Sequence, residues 1–150
     1  MAKVRFEVQY SFHASPARVW EELVDWAGHG AWIPMTRVTV APGDQHAVGA
    51  TFTAWTGVGR VSLEDRMRVS SFDWDDQTQR GACSVEKLGP LLLGTAAFTV
   101  SAGSGGKADV RWIEDVAVAR LPQFVAPIAA AAGASGFRFG MRRLARIVET

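Results

Sequence analysis

The chain has 150 residues, which suits one domain of ordinary size with a single hydrophobic core. Hydrophobic residues make up 48% and charged residues 21%, so extensive disorder is not expected. The formal net charge of +1 disfavours nucleic-acid binding, which requires a clear surplus of basic side chains.

Cysteine usage and hydropathy indicate in which cellular compartment the protein is expected. Cys83 is the single cysteine, so an internal disulfide is excluded. The N-terminal residues lack the apolar stretch of a signal peptide. The apolar run 124–132 is shorter than the roughly 18 residues of a membrane span. We therefore expect a cytoplasmic protein without stable membrane insertion.

Alternation of apolar and polar residues predicts that most of the chain forms strands. Every second residue from Val4 to Phe12 is apolar and those between them are polar, as in a strand with one buried face. Turn signals rich in glycine and proline recur at regular intervals further along the chain. The predicted strands are 3–12, 36–40, 48–56, 60–72, 78–88, 92–102 and 107–119. This pattern predicts one seven-stranded antiparallel sheet.

Two short helical segments are predicted between the first two strands. Ser15 suits the N-cap of a helix, and Pro16 suits its first residue. We expect this helix to end at Gly28 and Gly30, because glycine disfavours the helical conformation. The residues 31–34 then predict one more helical turn.

The last part of the chain changes to helical spacing, which predicts a helix over roughly 121–148. Its middle, 129–136, consists of alanine, glycine and one serine. Each glycine inside a helix costs about 1 kcal/mol relative to alanine, so this helix requires packing on the apolar face of the bent sheet. The small side chains either let the helix touch the sheet or leave a void that a ligand would fill.

Several short motifs occur in an order and spacing that is similar to a known superfamily. They are Ser15-Pro16-Ala17-Arg18-Val19-Trp20 with Leu23; Asp25-Trp26 with Trp32 and Pro34; Val48-Gly49-Ala50-Thr51-Phe52; Asp65-Arg66-Met67-Arg68-Val69; Gly94-Thr95-Ala96-Ala97-Phe98-Thr99-Val100; and Trp112-Ile113-Glu114. In these motifs the chain resembles the START/birch-pollen-allergen superfamily, also called SRPBCC, and within it the polyketide cyclase/dehydrase-like group.

The resemblance implies a single α+β domain over 1–150 with a helix-grip fold. In this fold a curved seven-stranded antiparallel sheet is joined by two short helices, and the long C-terminal helix lies over its concave face. The resemblance also implies a hydrophobic cavity. It does not imply one reaction, because relatives include lipid carriers, hormone receptors and ring-forming enzymes.

Two acidic residues are the most informative candidates for a functional site. Asp65 and Glu114 each lie mid-strand in phase with apolar neighbours, so we expect both to face the enclosed side of the sheet. A carboxylate buried there must be paired or protonated, and burial raises its pKa. Such a group would orient a ligand or transfer a proton. A bulge that turns each carboxylate to solvent, or pairing with Arg68 or Arg111, is the structural alternative.

The chain is rich in aromatic residues, which line ligand pockets and also fill cores. The predicted ligand-binding set combines aromatic, aliphatic and acidic residues: Trp26, Trp32, Phe52, Asp65, Met67, Phe98, Trp112, Glu114, Phe124, Ile128 and Ala132. The sequence leaves open whether Trp55 and His29 face the pocket.

Three functional hypotheses follow, and none requires a metal or cofactor, because the histidines and the cysteine lack metal-ligand spacing. The first is a monomer or homodimer that binds a lipid-, sterol- or polyketide-like molecule in an internal cavity. The second is an aromatase/cyclase-like enzyme that uses Asp65 and Glu114 for proton transfer, with Tyr10 and His29 as further candidates. The third is a protein-interaction module on the outer sheet face, which the polar residues there disfavour.

Overall fold

A seven-stranded antiparallel sheet forms the centre of the computed structural model, which describes residues 1–150. Its strands are β1 (Ala2–Phe12), β2 (Thr36–Val40), β3 (Thr51–Val58), β4 (Val61–Asp75), β5 (Arg80–Leu88), β6 (Leu92–Ala102) and β7 (Ala108–Val118). Their order across the sheet is β1-β7-β6-β5-β4-β3-β2, so the meander from β2 to β7 ends beside the N-terminal strand. The predicted antiparallel sheet is confirmed.

Helix α1 (Pro16–Leu23) begins where its capping residues predict. The Oγ atom of Ser15 accepts a hydrogen bond from the amide of Arg18 at 3.2 Å, and proline occupies the first helical turn. The inner face of the helix buries Val19 and Trp20 against the core. Helix α1 therefore closes one end of the sheet.

The connection from α1 to β2 differs from the prediction. The helix stops before Gly28 and Gly30, and a separate 3-10 turn covers Ala27–Ala31 in place of the predicted turn over 31–34. The side chain of His29 explains the difference, because its Nε2 atom donates to the carbonyl oxygen of the last residue of α1 at 2.7 Å. The glycine pattern alone does not reveal that the imidazole is buried and bonded to the end of α1.

The strand bounds agree with the prediction to within three residues, and β2 and β6 match at both ends. The largest differences are the later start of β3 at Thr51 and the later end of β4 at Asp75. The predicted strand ends at residue 72, but in the structure Trp74 continues it. Its indole stacks on that of Trp20 with ring centroids 5.5 Å apart, which ties this end of β4 to α1.

A β-bulge changes which side chains of β4 face the interior. The pairing of β4 with β5 shifts register between Val69 and Ser71. Before the shift, Asp65 and Val69 share the inner face; after it, Phe72 and Trp74 contact the core. The bulge lets one long strand serve two parts of the interior. It lies beyond Asp65 and so does not turn that carboxylate to solvent.

Helix α2 (Ala126–Val148) lies over the concave face of the sheet and packs mainly on β1. A 3-10 turn at Gln123–Val125 precedes it, so the regular helix begins later than the predicted 121. Its C-terminal half buries large side chains such as Met141 and Leu144, whereas its N-terminal half buries only alanines such as Ala134. The helix therefore packs closely on the sheet at one end only.

The segment Gln123–Val148 is long and apolar enough to span a membrane by length and composition alone. In its most apolar window, 22% of the residues are buried inside the protein. A helix that covers the core of a globular domain can meet the same criteria, and this one contacts β1.

Candidate ligand-binding cavity

A cavity of about 400 Å³ lies between the sheet and the N-terminal half of α2. Its wall includes residues of all seven strands, of the segment between α1 and β2, and of α2. Of the 29 lining residues, 20 are hydrophobic. Volume and composition are those of sites for small organic molecules, which typically measure about 300–1,000 Å³.

Eight of the predicted ligand-binding residues line this cavity. They are Trp26, Phe52, Asp65, Met67, Phe98, Trp112, Glu114 and Ala132. Alternation within the strands brings them together, because residues paired across antiparallel strands project to the same face. Phe98 pairs with Trp112, and their rings stack 5.0 Å apart; the rings of Trp26 and Phe52 stack at 4.6 Å. These two stacks form a rigid part of the wall.

Phe124 and Ile128 lie outside the cavity, so their prediction as wall residues is wrong. Their side chains are 83% and 71% exposed, respectively. Helical spacing identifies which residues share a face of a helix but not which face contacts the sheet. Here the inner face is formed by small residues such as Ala132, and the two large apolar side chains point to solvent.

Trp32 also does not line the cavity, although it is fully buried. Its indole packs edge-on against the rings of His29 and Trp112, with centroids 5.1 and 6.0 Å away. Gly140 of α2 lies close to the carbonyl oxygen and the six-membered ring of Trp32. Trp32 thus supports two wall residues from outside the cavity.

The glycines of α2 serve two different purposes. A Cβ atom at Gly133 would lie 2.4 Å from Cε1 of Phe6, and one at Gly140 would lie 3.1 Å from the carbonyl oxygen of Trp32. These two glycines allow the helix to approach its neighbours. In contrast, a Cβ atom at Gly136 would have no neighbour within 4 Å, and this glycine lines the cavity. Helix α2 therefore touches its neighbours at Gly133 and Gly140 but borders empty space at Gly136.

The main polar feature of the wall is an ion cluster formed by Asp65, Lys87 and Glu114. The Nζ atom of Lys87 lies 2.5 Å from Oδ2 of Asp65 and 3.4 Å from Oε2 of Glu114. The lysine side chain is only 5% exposed. Strand β6 separates β5 from β7, and its inward residues beside the cluster, Gly94 and Ala96, are small enough to let Lys87 reach Glu114.

The hydrogen bonds of this cluster leave one atom free. Three acceptors surround the ammonium of Lys87: the two carboxylates and, at 3.5 Å, the sulfur of Met67. Asp65 and Met67 accept hydrogen bonds from this ammonium, whereas Glu114 is an ion-pair partner. Oε1 of Glu114 accepts a hydrogen bond from Nε1 of Trp112 at 3.1 Å. Oδ1 of Asp65 is buried without a partner, so the cluster has one acceptor atom that no protein donor satisfies.

Burial and mutual attraction determine the ionisation of the cluster. Burial raises the pKa of both Asp65 and Glu114 above their ordinary values, and attraction to Lys87 opposes this only in part. Burial alone would lower the pKa of Lys87, but attraction to Glu114 and Asp65 outweighs it, so that pKa is raised.

The sequence identified both carboxylates but not the cation between them. Arg68 and Arg111, the partners considered for the carboxylates, bind glutamates on the outer face instead. The missed cation, Lys87, follows Cys83 and Val85 at period two in β5, and all three are buried. The same in-phase signal that identified the carboxylates therefore identifies this lysine.

His29 and Trp55, whose directions the sequence left open, lie on opposite sides of the cavity wall. His29 is buried and lines the cavity, and desolvation lowers its pKa to about 4, so its imidazole is neutral at pH 7. Trp55 lies outside, where the guanidinium of Arg37 sits 4.4 Å above the centre of its ring. Arg37 and Trp55 line an open polar groove that includes Arg143.

The curved antiparallel sheet, the long C-terminal helix and the cavity between them define a helix-grip protein. The chain belongs to the family described as "Polyketide cyclase / dehydrase and lipid transport", whose sequence model matches residues 3–149. This places it in the polyketide cyclase-like group of the SRPBCC superfamily and confirms the resemblance that its motifs indicate. No curated protein matches the sequence.

Solved structures share the fold at low sequence identity. A protein from Chromobacterium violaceum has a TM-score of 0.68 and 16% identity, with 97% of each chain covered. The Zhui aromatase/cyclase from Streptomyces sp. R1128 has a TM-score of 0.68 and 15% identity, over 98% of this chain and 94% of that one. Ara h 8.0201 has a TM-score of 0.59 and 12% identity, over 95% and 98%.

Proposed function

We propose that the protein binds a lipid-, sterol- or polyketide-like molecule in the cavity between the sheet and α2, without converting it. The observation that carries this proposal is a cavity of about 400 Å³ in which 20 of the 29 lining residues are hydrophobic. An apolar ligand would remove this surface from water at a gain of roughly 25 cal/mol per Å². The stacked aromatic rings provide a wall that loses little conformational entropy on binding.

The small residues on the inner face of α2 provide the test of this proposal. Ala132 and Gly136 line the cavity, whereas the adjacent Ala131 does not. Ala132→Phe and Gly136→Leu should fill the cavity, and Ala131→Phe is the matched control on the outer face. Binding is measured from the fluorescence of prodan, a neutral naphthalene probe without hydrogen-bond donors.

We expect the parent protein and the Ala131→Phe variant to bind prodan with micromolar affinity. The two filled variants should bind it at least tenfold more weakly, while their melting temperatures remain close to that of the parent. Absence of prodan binding by the parent, or equal binding by all four proteins, would refute the proposal. Mass spectrometry of small molecules that copurify with the native protein would then identify the class of ligand.

A polyketide cyclase-like enzyme is the second candidate, and the ion cluster is the observation that favours it. Asp65 and Glu114 lie on the cavity wall with raised pKa values, as proton-transfer groups in enzymes often do. A poly-β-keto thioester would be incubated with the protein and the products analysed by mass spectrometry. Cyclised products that disappear in Asp65→Asn and Glu114→Gln, with prodan binding retained, would favour the enzyme over the binding protein.

A further inference from the structure

We infer that the cavity selects ligands that present a hydrogen-bond donor, specifically an alcohol or phenol hydroxyl, to Oδ1 of Asp65. This inference rests on the proposed function and names the chemistry of the ligand's polar end. Asp65 lines the cavity, and its Oδ1 atom is buried without a hydrogen-bond partner. A buried acceptor left unpaired is unfavourable, so a ligand donor at this point is stabilised.

The neighbouring groups do not satisfy this oxygen because their hydrogen bonds are made elsewhere. The ammonium of Lys87 is surrounded by Oδ2 of Asp65, Oε2 of Glu114 and the sulfur of Met67. The indole N–H of Trp112 donates to Glu114. The donor for Oδ1 of Asp65 must therefore come from outside the cluster.

The charge of the cluster decides which polar group fits. A carboxylate on the ligand would place a second anion beside Asp65, and a ketone or ether would place an acceptor against an acceptor. An ammonium would supply donors but is costly to transfer into a wall in which 20 of 29 residues are hydrophobic. A hydroxyl supplies the donor at a much smaller desolvation cost.

Two ligands with the same ring system and the same oxygen position, one with a hydroxyl and one with a methoxy group, test this inference. The hydroxyl of 2-naphthol can donate to Asp65, whereas 2-methoxynaphthalene carries the same oxygen without a proton. Their dissociation constants are measured by displacement of prodan from the parent protein. We expect 2-naphthol to bind about tenfold more tightly, since hydrogen bonds to charged groups are among the strongest that proteins form.

Asp65→Asn should reverse this preference. Lys87 requires an acceptor at the position of Oδ2, so the amide oxygen of the asparagine will face Lys87 and its NH₂ group will take the place of Oδ1. The free acceptor is thereby replaced by a donor, and 2-methoxynaphthalene should bind at least as tightly as 2-naphthol. Glu64→Gln is the matched control, because Glu64 is the preceding residue of β4 and is exposed. It should retain the preference of the parent.

The outcomes separate this inference from the proposed function. If the parent binds prodan but the two naphthalenes differ by less than twofold, the selection for a hydroxyl is refuted and the cavity stands. If the parent binds no prodan, the proposed function itself fails. If circular dichroism shows that the Asp65→Asn protein is unfolded, the two ligands on the parent protein decide the question alone.

Discussion

The two halves of helix α2 lie on the same sheet but enclose different interiors. The closed half, residues 137–148, buries Met141 and Leu144 completely against the aromatic core. The open half, residues 126–136, presents alanine and glycine to the sheet and leaves the cavity beneath it. The difference shows that side-chain volume on one helix face is sufficient to make a helix-grip domain solid at one end and hollow at the other.

The two halves also differ in polarity. The closed half covers an apolar cluster, while the open half covers the ion cluster of Asp65, Lys87 and Glu114. Buried ions require hydrogen-bond or charge partners. A ligand or a water molecule in the cavity could be the partner of Oδ1 of Asp65, which no protein group satisfies. Substitutions should therefore change stability for different reasons in the two regions: through lost charge pairing near the open half and through lost packing in the closed half.

The largest effect is expected at the open end, from Lys87→Met. Removal of the cation leaves two buried carboxyls without a cationic partner, and breaking a buried ion pair in this way typically costs about 3–5 kcal/mol. Both lose the attraction that opposes their raised pKa values. Because folded-state pKa values above the unfolded ones favour the folded state only at low pH, the deficit should be small near pH 4 and grow as pH rises.

Urea denaturation of the parent and the Lys87→Met variant at several pH values measures this deficit. Lys3→Met, at an exposed lysine, is the control and should change stability little at any pH. A deficit of equal size at pH 4 and pH 8 would contradict the assignment of Lys87 as the partner of the carboxyls.

The closed half should respond to loss of volume. Leu144 is fully buried, so Leu144→Ala should lower the free energy of unfolding by about 2–5 kcal/mol, through lost burial and a new void. Ile128→Ala truncates an equally apolar side chain that is 71% exposed and should cost less than about 0.5 kcal/mol. Equal losses for the two variants would mean that the closed half is not packed as described.

His29 is buried in the cavity wall and should make the stability of the protein decrease in acid. Burial depresses its pKa from 6.5 to about 4, so its contribution is present above the unfolded pKa and is lost as pH falls from about 6.5 to 4. At about 1.4 kcal/mol per pKa unit, the loss amounts to roughly 3 kcal/mol.

Asp65 and Glu114 affect the pH dependence of stability with the opposite sign at acidic pH. The contribution of His29 is therefore obtained by comparing the free energy of unfolding of the parent with that of a His29 variant. His29→Gln should lose less stability than the parent between pH 6.5 and pH 4, as measured by urea denaturation. His13→Gln, at an exposed histidine, should follow the parent curve. Parallel curves for the parent and His29→Gln would remove His29 as the source.

The smallest effect distinguishes two glycines of the open half. Gly136→Ala adds a methyl group to open space and should stabilise the helix by about 1 kcal/mol. Gly133→Ala adds one 2.4 Å from the ring of Phe6 and should lower the melting temperature instead. Changes of the same sign for the two variants would show that the helix does not approach β1 as described.

The sequence predicted the sheet more accurately than the site. Alternation is a local property, and it placed β6 at 92–102 and identified Asp65 and Glu114 as inward-facing. Helical spacing was less informative, since it could not decide that Phe124 and Ile128 face solvent. Lys87 was missed because a lysine in a strand is usually exposed, although its phase in β5 indicated burial.

By itself, the sequence determined the order of the elements, the seven strands, the long C-terminal helix and the family. These depend on periodicity, turn residues and motif order, which are encoded locally along the chain. Only the tertiary structure decided that Gly133 makes a contact while Gly136 borders a void, and that Lys87 reaches across β6 to Glu114. Such properties depend on distances between side chains that are far apart in sequence, and no local pattern specifies them.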